Sequence, residues 1–243
     1  GTTRIGGGSL VDTDALAIDR CGTLWISNAG DTTERRMDAA LYAIPEQGRG
    51  DHVVQALRYP ITYDSVSHNV EALLVHPVTG AKFLVSKGLL SGTIYMLPAQ
   101  LSTKSANVAA AQPGVGPSMA TDATFTADGT RALVRSYTSM YLLDPTDWSV
   151  LATVPTPRQQ QGETVTAEAT SLLVGSEGAG SELIRMPIPS DEPTPRPTAS
   201  PKATPAAVKD DDSTAPPMLF VLGAVVAAVV LGAGVTIWLR RSR

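Results

Sequence analysis

The chain holds a single cysteine, Cys21, in 243 residues. That excludes an internal disulfide and any cysteine-ligated metal centre. Two readings of Cys21 stay open: a small buried residue beside a turn, or a thiol whose partner lies in sequence outside this chain. Charged residues are scarce at 17%, aromatics make up 5%, and the net charge is −4. No basic cluster interleaved with aromatics occurs, so a nucleic-acid partner is not expected. Helical periodicity is missing before residue 218. So are the nucleophile elbow, the S-x-x-K and H-E-x-x-H motifs and the Walker loop, which removes the familiar hydrolase, metalloprotease and nucleotide signatures. The Gly6–Gly8 run has no strand before it and no helix after it, so it is no phosphate cradle.

What is present is a repeat. Four times an acidic residue heads a short apolar strand: Asp14 (D-A-L-A-I), Glu71 (E-A-L-L-V), Asp122 (D-A-T-F-T) and Glu163 (E-T-V-T-A). The heads lie 57, 51 and 41 residues apart, a spacing suited to propeller blades. Behind each comes a turn and a second strand ending in polar residues: G-T-L-W-I-S-N, G-A-K-F-L-V-S-K, G-T-R-A-L-V-R-S-Y and T-S-L-L-V-G-S-E. A third strand then ends near a proline (Pro45, Pro98, Pro145, Pro187), as expected where a residue without an N–H stops a ladder. Fourth strands are expected at H-V-V-Q-A-L-R-Y, A-N-V-A-A-A and S-V-L-A-T-V, and the fourth unit reaches a proline-rich segment before making one. The fold class is therefore all-β: a propeller of four-stranded antiparallel blades, about four of them visible. The last blade would borrow its missing strand from residues 1 to 11, a stretch poor in strand formers. Weak closure, the lone Cys21 and the lack of a leader together lead to the expectation of one or two further blades N-terminal to this sequence.

Domain organisation follows from composition: a propeller over 1–189, a Pro/Thr/Ser/Ala-rich stalk over 190–217, a transmembrane helix over 218–239 and a basic tail over 240–243. Met218 to Leu239 is 22 residues without a charge, long enough to cross the hydrocarbon core. Arg240, Arg241 and Arg243 follow it and Asp210–Asp212 precede it, so the tail is expected in the cytoplasm and the head outside the cell membrane. An export signal peptide is expected for such a protein. The stalk would extend in a polyproline-like form and hold the head off the bilayer. Ala224, Ala228 and Gly232 place small residues on one helical face, where chance and dimerisation explain them about equally.

The motifs around Asp14, Asn69 to Gly80, Thr121 to Arg131, Arg135 to Tyr137 and Gln161 to Glu163 resemble those of exported bacterial propellers of the NHL and gluconolactonase-like (SMP-30) superfamily, including membrane-anchored actinobacterial surface proteins. The resemblance spans roughly residues 10 to 189. It implies a propeller, and leaves open a binder, a lactonase or a phosphoesterase.

First strands line a propeller's channel, so Asp14, Glu71, Asp122 and Glu163 are expected to converge as a ring of carboxylates. Ca²⁺ suits such oxygen donors, with Asn28 and Asn69 as amide contributors, and would polarise a carbonyl or phosphoryl oxygen. The alternative is that the acids serve turns, with Arg135 neutralising two of them by direct pairing. His68 near Glu71 is a candidate base, while His52 and His76 read as exposed. The glycine-rich stretch at Glu177 and Glu182 lacks the spacing of a calcium loop. Two functions remain: a surface module that binds an extracellular protein or glycan, and a divalent-metal-dependent hydrolase.

Overall fold

Short runs that alternate apolar and polar residues bury one face and wet the other, and stretches apolar on both faces need a neighbour on each side. The computed structural model describes residues 1–63 and 66–191, and every regular element among them is a strand. The stalk beyond residue 191, the expected membrane helix and the tail lie outside the described residues. No helix among those described is long and apolar enough to cross a membrane.

Blade 1 is formed by β2 (Ala15–Ile18), β3 (Thr23–Asn28), β4 (Ala40–Pro45) and β6 (Leu57–Tyr63). Blade 2 has β7 (Val70–Val75), β8 (Lys82–Ser86), β9 (Gly92–Met96) and β10 (Asn107–Gly116). Blade 3 has β11 (Ala120–Phe125), β12 (Ala132–Ser136), β13 (Ser139–Leu143) and β14 (Val150–Pro155). Blade 4 has three strands among the described residues: β15 (Gly162–Ala167), β16 (Ser171–Ser176) and β17 (Ile184–Pro187). Within every blade the neighbours run antiparallel. The inner strands β2, β7, β11 and β15 neighbour one another in that order, the arrangement of a β-propeller.

The remaining two strands correct the expected closure. β1 (Thr3–Gly6) does not complete blade 4; it pairs in parallel with β5 (His52–Gln55). H-V-V-Q-A-L-R-Y is thus split, its first half serving β1 and its second half beginning β6. The start of β10 also pairs in parallel with β6, before the strand joins β9 at Ala110 and shifts register between Ala111 and Val115, so blades 1 and 2 share one sheet.

The blades are glued face to face. Trp25 and Leu41 of blade 1 meet Leu73, Leu84 and Tyr95 of blade 2. Leu74, Phe83 and Ile94 on the other face of blade 2 meet Phe125, Val134 and Trp148 of blade 3. Leu133, Met140 and Leu142 then meet Val165, Leu172 and Val174 of blade 4. The other face of blade 1 is only partly covered, by Ile5, Val54 and Ala56 of the β1–β5 ribbon. There Leu16 is 60% and Ile18 50% exposed, along a seam of about 530 Å³ that Thr166 of blade 4 also lines. Cys21 is exposed, which removes the first of its two readings, a small buried residue beside a turn.

Blades 3 and 4 are also latched by polar groups. Arg135 is fully buried, and its Nη1 donates to the carbonyls of Thr164 (2.6 Å) and Gly175 (2.7 Å). Its Nη2 donates to Gln159 Oε1 at 2.6 Å. A Cβ on Gly162 would sit 2.0 Å from that Nη2, so the guanidinium occupies the space a side chain would need. Gly162→Ala is expected to cost about 2 kcal/mol by overpacking a group that cannot retreat. Urea unfolding would show it as a lowered midpoint at unchanged slope; wild-type stability would mean that Arg135 does not hold the blades together.

Candidate functional site: the channel mouth

The acidic heads fall where inner strands begin, but register separates them. Val70, Ala120 and Gly162 pair with Ser86, Ser136 and Ser176, and a bulge follows in each inner strand. The bulged residue is Glu71, Thr121 or Glu163. Asp122 is therefore one position further along, where the side chain turns toward the next blade instead of the channel. It is 8% exposed. Its carboxylate accepts N–H bonds from Ala123 and, across the interface, Val165, both at 2.8 Å. Burial pushes its pKa up to about 7 against those two bonds and the nearby Arg135.

Asp14, Glu71 and Glu163 do share one neighbourhood. Burial, then the charges of Glu71 and Asp12, push the Asp14 carboxyl up to about 7, with Glu163 adding and Lys87 opposing. Asp14 Oδ2 is buried without a hydrogen-bond partner. Gly30 lies against it, and a Cβ there would approach that oxygen to 1.9 Å. Burial also raises Glu163, while a 2.9 Å bond from Gln161 Nε2 and the charge of Lys87 work the other way.

Lys87, just past the end of β8, is the cation among these acids. Its Nζ lies 3.2 Å from Glu71 Oε2, and Asn69 Nδ2 donates to Glu71 Oε1 at 2.8 Å, so both oxygens are engaged. Burial disfavours the ammonium, but the Tyr137 hydroxyl and Glu71 hold its pKa above the ordinary lysine value. Tyr137 presents its ring 4.9 Å from Nζ as well. Among the described residues, no three His, Cys, Asp or Glu side chains are grouped closely enough to hold a metal ion.

The other sequence candidates have structural employment. Arg135 bonds backbone carbonyls and Gln159 instead of pairing with the acids. Asn28 Oδ1 accepts the N–H groups of Val11 and Asp12, fixing the segment that leads to Asp14. Asn69 Oδ1 accepts Asp31 N at 2.6 Å and so ties blade 1 to blade 2. His68 stacks with Tyr63 and Tyr95, His76 Nδ1 accepts from Val78 and Thr79, and His52 contacts the Gly48 carbonyl. Lys87 and Tyr137 were missed as site residues. A signal for them existed: each follows the serine that ends a second strand, in S-K and S-Y, with S-E at Glu177.

No known protein family matches the chain, and no curated protein matches it either. Among solved structures it is similar to hydrazine synthase from Kuenenia stuttgartiensis, at TM-score 0.44 and 11% identity over 75% of this chain and 47% of that one. It is similar to a putative 6-phosphogluconolactonase from Bacteroides uniformis at TM-score 0.47 and 9% identity, over 78% and 71% of the two chains. The Dos1 propeller gives TM-score 0.33 and 13% identity over 67% and 42%. The chain spans about half the length of the first of these.

The raised Asp14 pKa has a signed consequence. A carboxyl with folded pKa about 7 and unfolded pKa 3.8 binds protons more tightly when folded, so stability falls as pH rises from about 4 to 7. Asp14→Asn is expected to flatten that fall and raise stability above pH 7 by about 1 kcal/mol, a figure discounted for the group's partial solvation. Asp122→Asn should instead destabilise at every pH, because an amide oxygen cannot replace both carboxylate oxygens facing N–H groups. Melting temperature followed from pH 4 to 8 checks both; parallel curves for Asp14→Asn and wild type would show that Asp14 carries no raised pKa.

Proposed function

We propose that this chain is the binding head of a single-pass surface protein, akin to the exported NHL and gluconolactonase-like propellers that its repeat resembles. The head uses the face around the channel mouth to hold an extracellular protein or glycan. One observation carries this: of the five most exposed large apolar side chains among the described residues, four lie on loops at that face, the fifth being Val53 of β5. Met37 is 92% exposed on the loop after β3, Leu89 and Leu90 are 79% and 90% exposed after β8, and Leu183 is 70% exposed after β16. These loops join the second strand to the third, so they emerge at the end where the inner strands begin and where Lys87 lies. Exposing isolated leucines at loop tips costs a monomer solubility and gives its fold nothing. An apolar collar around a polar centre has the composition of an interface. The anchor at 218–239 and the stalk would place this face beyond the cell envelope.

Replacing Met37, Leu89 and Leu90 together by Ser is expected to weaken binding of the full-length protein to intact cells by at least about tenfold. Its melting temperature should move by no more than about 2 °C, since these side chains are largely exposed. Undiminished binding by the triple variant would move the partner to another face.

A second reading, a divalent-ion-dependent hydrolase, is favoured by the unpartnered Asp14 Oδ2 beside Asp12, Glu71 and Glu163. An ion there would have to take over the role of Lys87. Thermal unfolding with Ca²⁺ and with excess chelator decides it: a rise in melting temperature that vanishes in Asp14→Asn supports the ion, and identical curves refute it.

A further inference from the structure

Beside the channel mouth, where blade 1 hands over to blade 2, lies a cavity of about 110 Å³. It is lined among others by Arg36, Met37 and Ala39 after β3, Ile61 and Tyr63 of β6, and Val66. Met37 and Val66, 92% and 61% exposed, form its rim, so it opens to solvent. The loop after β3 holds Arg36 in a fixed pose. Asp31 is buried, donates its N–H to Asn69 Oδ1, and accepts the Thr33 hydroxyl at 3.0 Å and the Arg36 N–H at 2.6 Å. The guanidinium then donates through Nε to Asp38 Oδ1 at 3.0 Å and through Nη1 to the Gly30 carbonyl at 2.8 Å. Its remaining nitrogen, Nη2, is buried without a hydrogen-bond partner among the described residues, and so is the Tyr63 hydroxyl. The Tyr63 ring is fixed edge-on between His68 and Tyr95, at centroid distances of 5.0 and 5.1 Å. Burial, with Tyr95 and Asp31 adding and Arg36 opposing, holds that hydroxyl above the ordinary tyrosine range, so it keeps its proton. Two immobilised donors thus belong to one small cavity, and neither meets an acceptor.

We propose that this pocket takes one carboxylate, presented by an acidic side chain of the protein partner held on the collar. The proposal deepens the reading of that face as an interface and rests on it. Arginine donates and never accepts, and the Tyr63 hydroxyl has its proton free, so the occupant must be an acceptor. A charged acceptor offsets most fully the cost of leaving buried donors unpaired, and a carboxylate matches the guanidinium in shape. Met37, Ala39 and Ile61 give apolar walls suited to the methylene stem of an aspartate or glutamate. The room is that of three or four waters at ~30 Å³ each, enough for a carboxylate on such a stem and too little for a sugar ring. Asp31 and Asp38 already engage the backbone N–H and Nε of Arg36, and their charges oppose the entering acid. They keep the affinity of an isolated carboxylate in the millimolar range, so the pocket selects a partner more than it holds one.

The probe is acetate on the full-length chain, compared with chloride at equal ionic strength and with acetamide as the neutral isostere. Acetate at about 100 mM is expected to raise the melting temperature by about 3 °C, and acetamide to leave it unchanged. Tyr63→Phe removes only an unpartnered hydroxyl, so it should melt no lower than wild type without acetate and lose most of the acetate increment. On intact cells Tyr63→Phe should bind about tenfold more weakly, and acetate should compete with the wild type. No increment with acetate, an equal one with acetamide, or an undiminished one in Tyr63→Phe overturns the pocket. An increment that appears only in Asp64→Asn assigns the donors to the chain's own Asp64 and overturns it too. Cell binding lost in the triple Ser variant but kept in Tyr63→Phe leaves the collar standing and overturns the acidic side chain. An acetate increment with cell binding indifferent to both variants refutes the collar and gives the pocket a free small carboxylate instead. Acetate-sensitive binding that survives protease treatment of the cells overturns the protein partner in favour of an acidic glycan.

Discussion

A sheet with apolar residues on both faces is unstable alone, and this dependence of each blade on its neighbours governs the whole molecule. Leu73 and Leu84 are 0% exposed because blade 1 covers them, and Leu74 is 0% exposed because blade 3 lies on the other side. The dependence passes from blade to blade until it reaches the ends. At blade 1 a two-stranded ribbon covers the core partially, leaving Leu16 and Ile18 along a seam. At blade 4 the outward positions are Thr164 and Thr166, which tolerate water. Leu173 of β16, opposite Thr166, is the apolar residue on that face.

Polar contacts are used where face packing is thinnest. Blade 4 has the shortest strand complement, and it is there that a buried arginine spans two carbonyls while Asp122 takes the Val165 N–H. Burying a guanidinium is costly unless its donors are satisfied, so such a group specifies one docking geometry more than it adds stability. Gly162 follows from the same constraint, since it stands where the guanidinium must pass. At the channel mouth the logic differs: acids brought together by the fold raise one another's pKa, and Lys87 offsets part of the repulsion. The mouth is held in place by charge balance, and the apolar loop tips around it are left available to a partner.

The blade repeat and its strand order were legible, because period-two alternation and turn residues act locally. That Asp14, Glu71 and Glu163 stand at the heads of inner strands was legible for the same reason. Asp122 was not, since the acidic head of its repeat aligns in sequence with the others while the bulge at Thr121 shifts it by one residue. A shift of one turns a strand residue to the opposite face, and no composition or spacing records it. Arg135 looked like a counter-ion to the acids; its length instead lets it reach backbone of the next blade, which only the packing reveals. One of two readings buries Cys21, because small residues beside turns often are, yet its turn sits at the surface.

The sequence by itself determined that the chain forms strands in four related units, each needing company on both faces. Local sterics and hydrophobic alternation suffice for that. Tertiary structure alone decided which acids meet, that Lys87 stands among them, that β1 joins β5 instead of closing the ring, and that exposed leucines and Met37 gather at one end. Those outcomes depend on register and on contacts between residues far apart in the chain, whose energies no local pattern encodes.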